Sequence, residues 1–291
     1  MKTEYETIRY ETPAAGVARI VMARPEARNA QDLTMTYEID AAFQRAAADD
    51  GIKVVILAGD DPHFSSGHDL RGKSGKTLHD FERIGTWGGF DAGGAEGRLG
   101  REMEIYLGVS RRWRDFPKPT IAAVQGKCIA GGLMLAWVCD LILASDDAQF
   151  RDPVIDLGAP GVEWFAHPWE LGWRKAKELL FTADWFSAEE ARQFGMVNQV
   201  VPRAELAEKA LELAVRIAAK PSFALKATKL AVNQMQDAAG FQNGMNTAFA
   251  WHQLCHAHNM QMFDMAVDPS GLAPSIKGRT DARLKGAAPK S

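Results

Sequence analysis

Short unbroken apolar runs punctuate the first two hundred residues, and helical patterns fall between them. Val17–Met22 reads as a strand, and from Leu33 to Ala48 the residues Ile39, Phe43 and Ala46 or Ala47 recur at helical spacing. Val54-Val55-Ile56-Leu57 then runs apolar without a break and stops at Gly59 and the polar Asp60-Asp61-Pro62. Such a run suits a strand buried on both faces. Ile121–Val124 and Leu141–Ala144 repeat the pattern, with an apolar segment between them. Strands alternating with helices predict an α/β layer structure with crossover connections.

Beyond residue 185 the β signal fades. Ser187-Ala188-Glu189-Glu190 has the form of a capping box, in which the serine hydroxyl and the glutamate satisfy free amides at a helix start. Leu206, Ala210, Leu213 and Ile217 make an amphipathic stripe that Pro221 stops. Ser222 to Asp264 continues helix-compatible and rich in methionine. The pattern therefore predicts an α/β body over residues 1–200 and a helical region over 201–291, without internal repeats.

Composition narrows the partners. The 291 residues are 46% hydrophobic and 24% charged, the balance of a globular chain. With 34 basic against 37 acidic residues the net charge is −3, which gives nucleic acid no support as a partner. Cys128, Cys139 and Cys255 are odd in number and widely spaced, so no disulfide framework is expected and a reducing cytoplasm is. The polar Met1–Glu6 gives no secretory signal. The longest apolar stretch, Cys128–Ala144, contains Gly131, Gly132 and Asp140 and is too short to span a bilayer, so no membrane partner is expected. Residues 85–100 carry seven glycines and read as a mobile surface loop, with a lid beside a pocket as the functional alternative; Trp87 and Phe90 would then shape that pocket. The basic stretch from Lys277 to Lys290 reads as a solvated tail, with a phosphate-rich ligand as its functional alternative.

Three patterns bear on chemistry. Gly67-His68-Asp69-Leu70-Arg71-Gly72-Lys73-Ser74 has the letters of a phosphate-binding loop. That loop must leave a strand and open directly into a helix, and here turn-like sequence separates it from the strand ending near Leu57. His252 and His256 are four apart, so on a helix they share a face as paired metal ligands do. No acidic residue follows at metalloprotease spacing and the third ligand is undetermined, so the pair reads as packed helical histidines and no metal is expected. The third pattern joins Phe64-Ser65-Ser66-Gly67-His68-Asp69-Leu70 to Gln125-Gly126-Lys127-Cys128-Ile129-Ala130-Gly131-Gly132. Two glycine turns, each following a strand, can aim bare amides at one oxygen as an oxyanion hole does.

On these segments the chain resembles the crotonase, or enoyl-CoA hydratase/isomerase, superfamily over nearly its whole length. Arg24-Pro25-Glu26-Ala27-Arg28-Asn29-Ala30 resembles the family's N-terminal coenzyme A loop, and residues 178–184 and 188–198 resemble its C-terminal linker motifs. The resemblance implies a spiral of ββα turns with a helical C-terminal region through which chains assemble as a homotrimer or hexamer. The apolar stretch Met235–Met265 agrees with such assembly. It also implies an acyl-CoA substrate, with coenzyme A entering as part of that substrate and no separate cofactor. By the same resemblance the amides of His68 and Gly131 would hold the thioester oxygen, and Ala27, Arg28, Asp69 and Leu70 would lie along the coenzyme A.

One departure matters. Hydratases of this family use two glutamates, and their positions here carry Met134 and Val154, neither of which can transfer a proton. Asp156 and Glu163 are the substitute acids, Glu163 being expected in the first turn of a helix; His167 and the His68 side chain are further candidates. The expected activity is enolate chemistry on an acyl-CoA without efficient hydration. Isomerisation, decarboxylation and thioester hydrolysis are the alternatives, together with a non-catalytic acyl-CoA-binding protein.

Overall fold

A computed structural model of the chain describes residues 4–70 and 75–272. Its main sheet holds six strands in the order β1-β2-β3-β4-β6-β9: β1 (Ile8–Ala14), β2 (Val17–Met22), β3 (Val54–Gly59), β4 (Thr120–Val124), β6 (Leu141–Ser145) and β9 (Gln199–Val201). β1 pairs antiparallel with β2, and every other pair is parallel. A second sheet packs the short strands β5 (Lys127–Ile129), β7 (Gln149–Arg151) and β8 (Phe186–Ser187) in the order β5-β7-β8.

The unbroken apolar runs follow from burial on both faces. Ile20, Met22, Val55, Leu57, Ala122, Val124, Ile142 and Ala144 point to one side, into a core shared with Met35, Ile39 and Phe43 of α1 (Leu33–Ala48). Their alternates Val17, Val54, Ile56, Ile121, Ala123 and Leu143 point to the other side. There Leu206, Ala210, Ala214 and Ala218 of α8 (Leu206–Ala218) cover them, one residue per turn. Leu213 and Ile217 of the predicted stripe lie at the edge of that contact, partly buried.

The glycine-rich segment is not wholly a loop. Gly94–Glu102 forms α2, which runs through a π-helical stretch, Met103–Gly108, directly into α3 (Val109–Arg114). Phe90 is buried against Tyr37 and Leu78, while Trp87 stays exposed. The remaining helices are α4 (Gly131–Trp137), α5 (His167–Leu171), α6 (Trp173–Thr182), α7 (Ala188–Phe194), α9 (Ser222–Ala238) and α10 (Phe241–Phe263). The Ser187–Glu190 capping box forms at the start of α7, and Pro221 serves as the N-cap of α9. No described helix is long and apolar enough to cross a membrane. The second half of the phosphate-loop lettering, residues 71–74, and the basic tail lie outside the described residues.

Candidate active site

Two neighbouring turns expose backbone amides. Ser65 bridges to β5, donating its amide to the Lys127 carbonyl (3.2 Å) and accepting from the Ile129 amide (3.0 Å). Gly67 then turns the chain at φ +87°, where a Cβ would meet the Ile129 oxygen at 2.8 Å and the Gly131 nitrogen at 3.0 Å. Conformation and space thus both require glycine there. Gln31 clamps the turn: its amide donates to the Gly67 carbonyl, its carbonyl accepts from the Asp69 amide, and its side chain donates to the Gly131 carbonyl, each at 2.8 Å. On the facing turn a Cβ at Gly131 would lie 2.5 Å from His68 Cδ2, so the two residues are in direct contact. Among the described residues neither the His68 amide nor the Gly131 amide has an acceptor. Amides so enclosed ordinarily find one, which points to a ligand oxygen.

Side chains that can carry a proton gather behind this pair. The His68 ring stacks on Tyr106, with centroids 3.9 Å apart and planes at 13°, and the π-helical stretch is what presents Tyr106. His68 Nδ1 lies 3.9 Å from Glu163 Oε1, and His252 Nε2 of α10 lies 3.8 Å from the same oxygen. Glu163 is therefore flanked by two imidazoles. It sits in a bend between Gly161 and α5 rather than in a helical turn, because Gly161 adopts φ +151° and the helix begins only at His167. Burial, then the negative charge of Glu102, pushes the Glu163 carboxyl well above the usual carboxylate range. Burial, with help from His252, pulls the His68 imidazole down to about 4.

The other candidates separate. His167 is buried and bonded to Asp152 at 2.8 Å. Burial would raise Asp152, but that bond and the amides of Val162 and Val154 hold it below the carboxylate range. The pair braces the loop that carries Glu163 and is not an exposed acid or base. Asp156 is exposed and faces Arg151 at 3.4 Å, so it is not brought to the cluster. Asp69 turns inward to Arg24 (3.0 Å), which also meets Asp32 (3.3 Å), whereas Leu70 is exposed. Ala27 and Arg28 form a tight turn whose Arg28 carbonyl accepts from the Ser66 amide, placing them beside the segment leading to His68. Met134 is buried on α4 and Val154 packs partly buried against the same core. Sequence reasoning missed Tyr106, for which no local signal exists, and missed that His252 faces Glu163 although its helical partner His256 was visible.

A cavity of about 610 Å³ lies elsewhere, at the ends of β3 and β4, lined by Asp60, Gln125, Arg203 and Leu206. It holds none of the clustered acid/base groups.

Comparison with known proteins gives a consistent picture. The family profile described as enoyl-CoA hydratase/isomerase matches residues 12–86 and 101–263. Its break, residues 87–100, falls within the glycine-rich segment and takes in most of α2. The chain is 47% identical over 264 residues to a Mycobacterium tuberculosis protein with the provisional name enoyl-CoA hydratase EchA13, covering 88% of this chain and 82% of that one. It is 34% identical over 229 residues to a Rhizobium meliloti protein, also provisionally named an enoyl-CoA hydratase, covering 78% and 80%. A crystal structure of a Mycobacterium smegmatis protein of the same provisional name aligns with TM-score 0.81 and 46% identity, over 90% of this chain and 99% of that one. An enoyl-CoA hydratase/isomerase from Xanthobacter autotrophicus Py2 aligns with TM-score 0.77 and 34% identity, over 96% and 99%.

Proposed function

The chain belongs to the enoyl-CoA hydratase/isomerase family of the crotonase superfamily, and from that premise we propose that it isomerises an acyl-CoA thioester through an enolate. The carrying observation is the buried Glu163, next to the His68–Gly131 contact and poised by its surroundings to take up a proton. The thioester oxygen sits on the two unpartnered amides, which stabilise charge that develops only as the enolate forms. Ionised Glu163 removes a proton from the carbon chain and, as the acid it has become, returns it two carbons away. The substrate loses and regains one proton, so its mass is unchanged and the double bond has moved. One carboxylate suffices for that exchange, whereas the two-glutamate hydration mechanism requires groups that Met134 and Val154 do not supply.

The test is a panel of acyl-CoA thioesters incubated with the protein in D2O, followed by chromatography and mass spectrometry. A 3-enoyl-CoA shifted in retention is the expected result, with deuterium entering only where the Glu163 proton exchanges with solvent before its return. A panel that binds yet shows no isomerisation, exchange, hydration, decarboxylation or hydrolysis would overturn the reading and leave an acyl-CoA-binding protein. Loss of carbon dioxide or release of free coenzyme A would reassign the same oxyanion site to decarboxylation or thioester hydrolysis.

This reading assigns no separate cofactor, and coenzyme A enters with the substrate. Thioester binding rests on amides and basic side chains, so calorimetry after chelator treatment is expected to return an unchanged affinity. An absolute metal requirement would contradict it. We also infer assembly into a homotrimer or hexamer through the C-terminal helices. Phe223, Leu230, Val232 and Met235 of α9 and Trp251, Leu254 and Met262 of α10 are exposed, more soft apolar surface than a monomer ordinarily presents. Light scattering at micromolar concentration is expected to give three or six chain masses, and a monomeric mass would sink the inference.

A further inference from the structure

The histidines of α10 form a second cluster, distinct from the two amides. We propose that Glu102, His252 and His256 form a binding site for a divalent transition metal of the zinc class. The absence of a third ligand in the local sequence argued against a metal; the fold supplies one, from the end of α2 where the π-helical stretch begins. One carboxylate oxygen of Glu102 and one ring nitrogen of each histidine lie within 4.8 Å of one another. His256 Nε2 is 3.4 Å from Glu102 Oε1.

Hydrogen-bond accounting explains why a cation belongs there. His252 Nδ1 lies 2.8 Å from the Gly161 carbonyl oxygen, and His256 Nδ1 lies 2.5 Å from that of Ala266. A carbonyl oxygen only accepts, so each Nδ1 carries the hydrogen and each Nε2 of a neutral ring presents a lone pair. The rings meet nearly edge to face, with centroids 4.4 Å apart at 81°. His252 Nε2 is buried and has no hydrogen-bond partner, and its side chain is only 4% exposed. Glu102 adds a further acceptor, its other oxygen already held by the Gln253 side chain. The two ring lone pairs and the free Glu102 oxygen therefore converge on one point. Backbone carbonyls bonded to the distal ring nitrogens are the outer contacts that orient metal-binding imidazoles.

Two imidazoles and one carboxylate suit zinc or a similar borderline ion and do not suit magnesium, which takes oxygen ligands. Glu102 and His256 keep side-chain exposures of 13% and 10%, leaving a route in from solvent.

The experiment uses the full chain stripped with chelator, titrated with Zn2+ and separately with Mg2+, and read by calorimetry and elemental analysis. About one Zn2+ per chain and no response to Mg2+ are expected. Affinity should fall at least about 100-fold in Glu102→Gln and in His256→Gln, since even outer contacts of such sites carry 10- to 100-fold. His258→Gln, at an exposed position on the same helix, should leave it unchanged. Co2+ added to the unsubstituted protein gives an independent reading if a variant fails to fold: visible ligand-field bands without a thiolate charge-transfer band are expected. No Zn2+ uptake would overturn the proposal and leave the cluster held by shared protons. Uptake lost only with His258→Gln, or a thiolate band implicating Cys255, would overturn it equally.

Discussion

Crotonyl-CoA is expected to be hydrated about 100- to 10,000-fold more slowly by this protein than by a two-glutamate relative assayed beside it. That range is the usual contribution of one positioned general acid/base, and Met134 and Val154, at the two positions that the resemblance assigns to the glutamates, supply none. Met134 lies one helical turn beyond Gly131, buried within the core. Val154 follows Pro153 at the start of a short 3-10 turn, its amide donating to Asp152 and its side chain packed on the same core. Neither side chain can hold a water or move its proton at any pH. Met134→Glu combined with Val154→Glu should raise hydration if the pocket accepts two carboxylates. Burying an unpaired charge costs on the order of several kcal/mol, so that variant is read beside its thermal melt. The unmodified protein gives the decisive measurement. Rapid hydration abolished by Glu163→Gln would mean that a relocated acid performs the water chemistry. Rapid hydration that survives the change would mean that the two glutamate positions have been placed wrongly. Asp156→Asn should change nothing, because Asp156 faces Arg151 at the surface.

The parts of the fold legible in the sequence are those whose burial repeats along the chain. Val54–Leu57 and Ile121–Val124 lack polar alternation because the core covers one face and α8 the other, and continuous apolar letters are what such strands require. The helix over Leu33–Ala48 has both periodicity and the Asp32 N-cap, whose carboxylate accepts from Met35 at 2.9 Å. β5, β7 and β8 span two or three residues each, too few for any period to register. Helix α2 was hidden by its glycines: a Cβ at Gly97 or Gly100 would strike the Ala92 or Gly88 carbonyl, so close packing, not flexibility, accounts for them. The glycine turns of the site could be read because their constraint is local. The partners of Glu163 could not, because Tyr106 comes from a π-helical stretch and His252 from α10. Asp156 and Glu163 looked equivalent as letters; only the fold turns one outward to Arg151 and the other inward between two imidazoles.

Glu163→Gln is expected to lower turnover of the isomerised acyl-CoA by about 100- to 10,000-fold while leaving thioester affinity nearly unchanged, since the amides of His68 and Gly131 remain. The pH dependence gives the role its signature. A base acts only when ionised, and burial places Glu163 well above the ordinary carboxylate range. The rate should therefore climb with pH to a limb displaced upward from that of a solvated glutamate, and the residual rate of the variant should lack that limb. Stability should move the opposite way. A carboxyl whose folded value is raised binds its proton more readily when folded. Its contribution is fully present below the unfolded value, near 4.3, and is lost as pH rises through the folded value. Glutamine removes that titration, so the variant should melt no lower than the parent at alkaline pH. His68 has the opposite sign. Its folded value is depressed from 6.5 to about 4, so its contribution is present above 6.5 and drains away as pH falls through that window in parent and variant alike. A variant that loses activity and stability together would make Glu163 a packing residue. A variant that keeps turnover within about threefold, well short of the usual loss for a general base, would remove it from the mechanism.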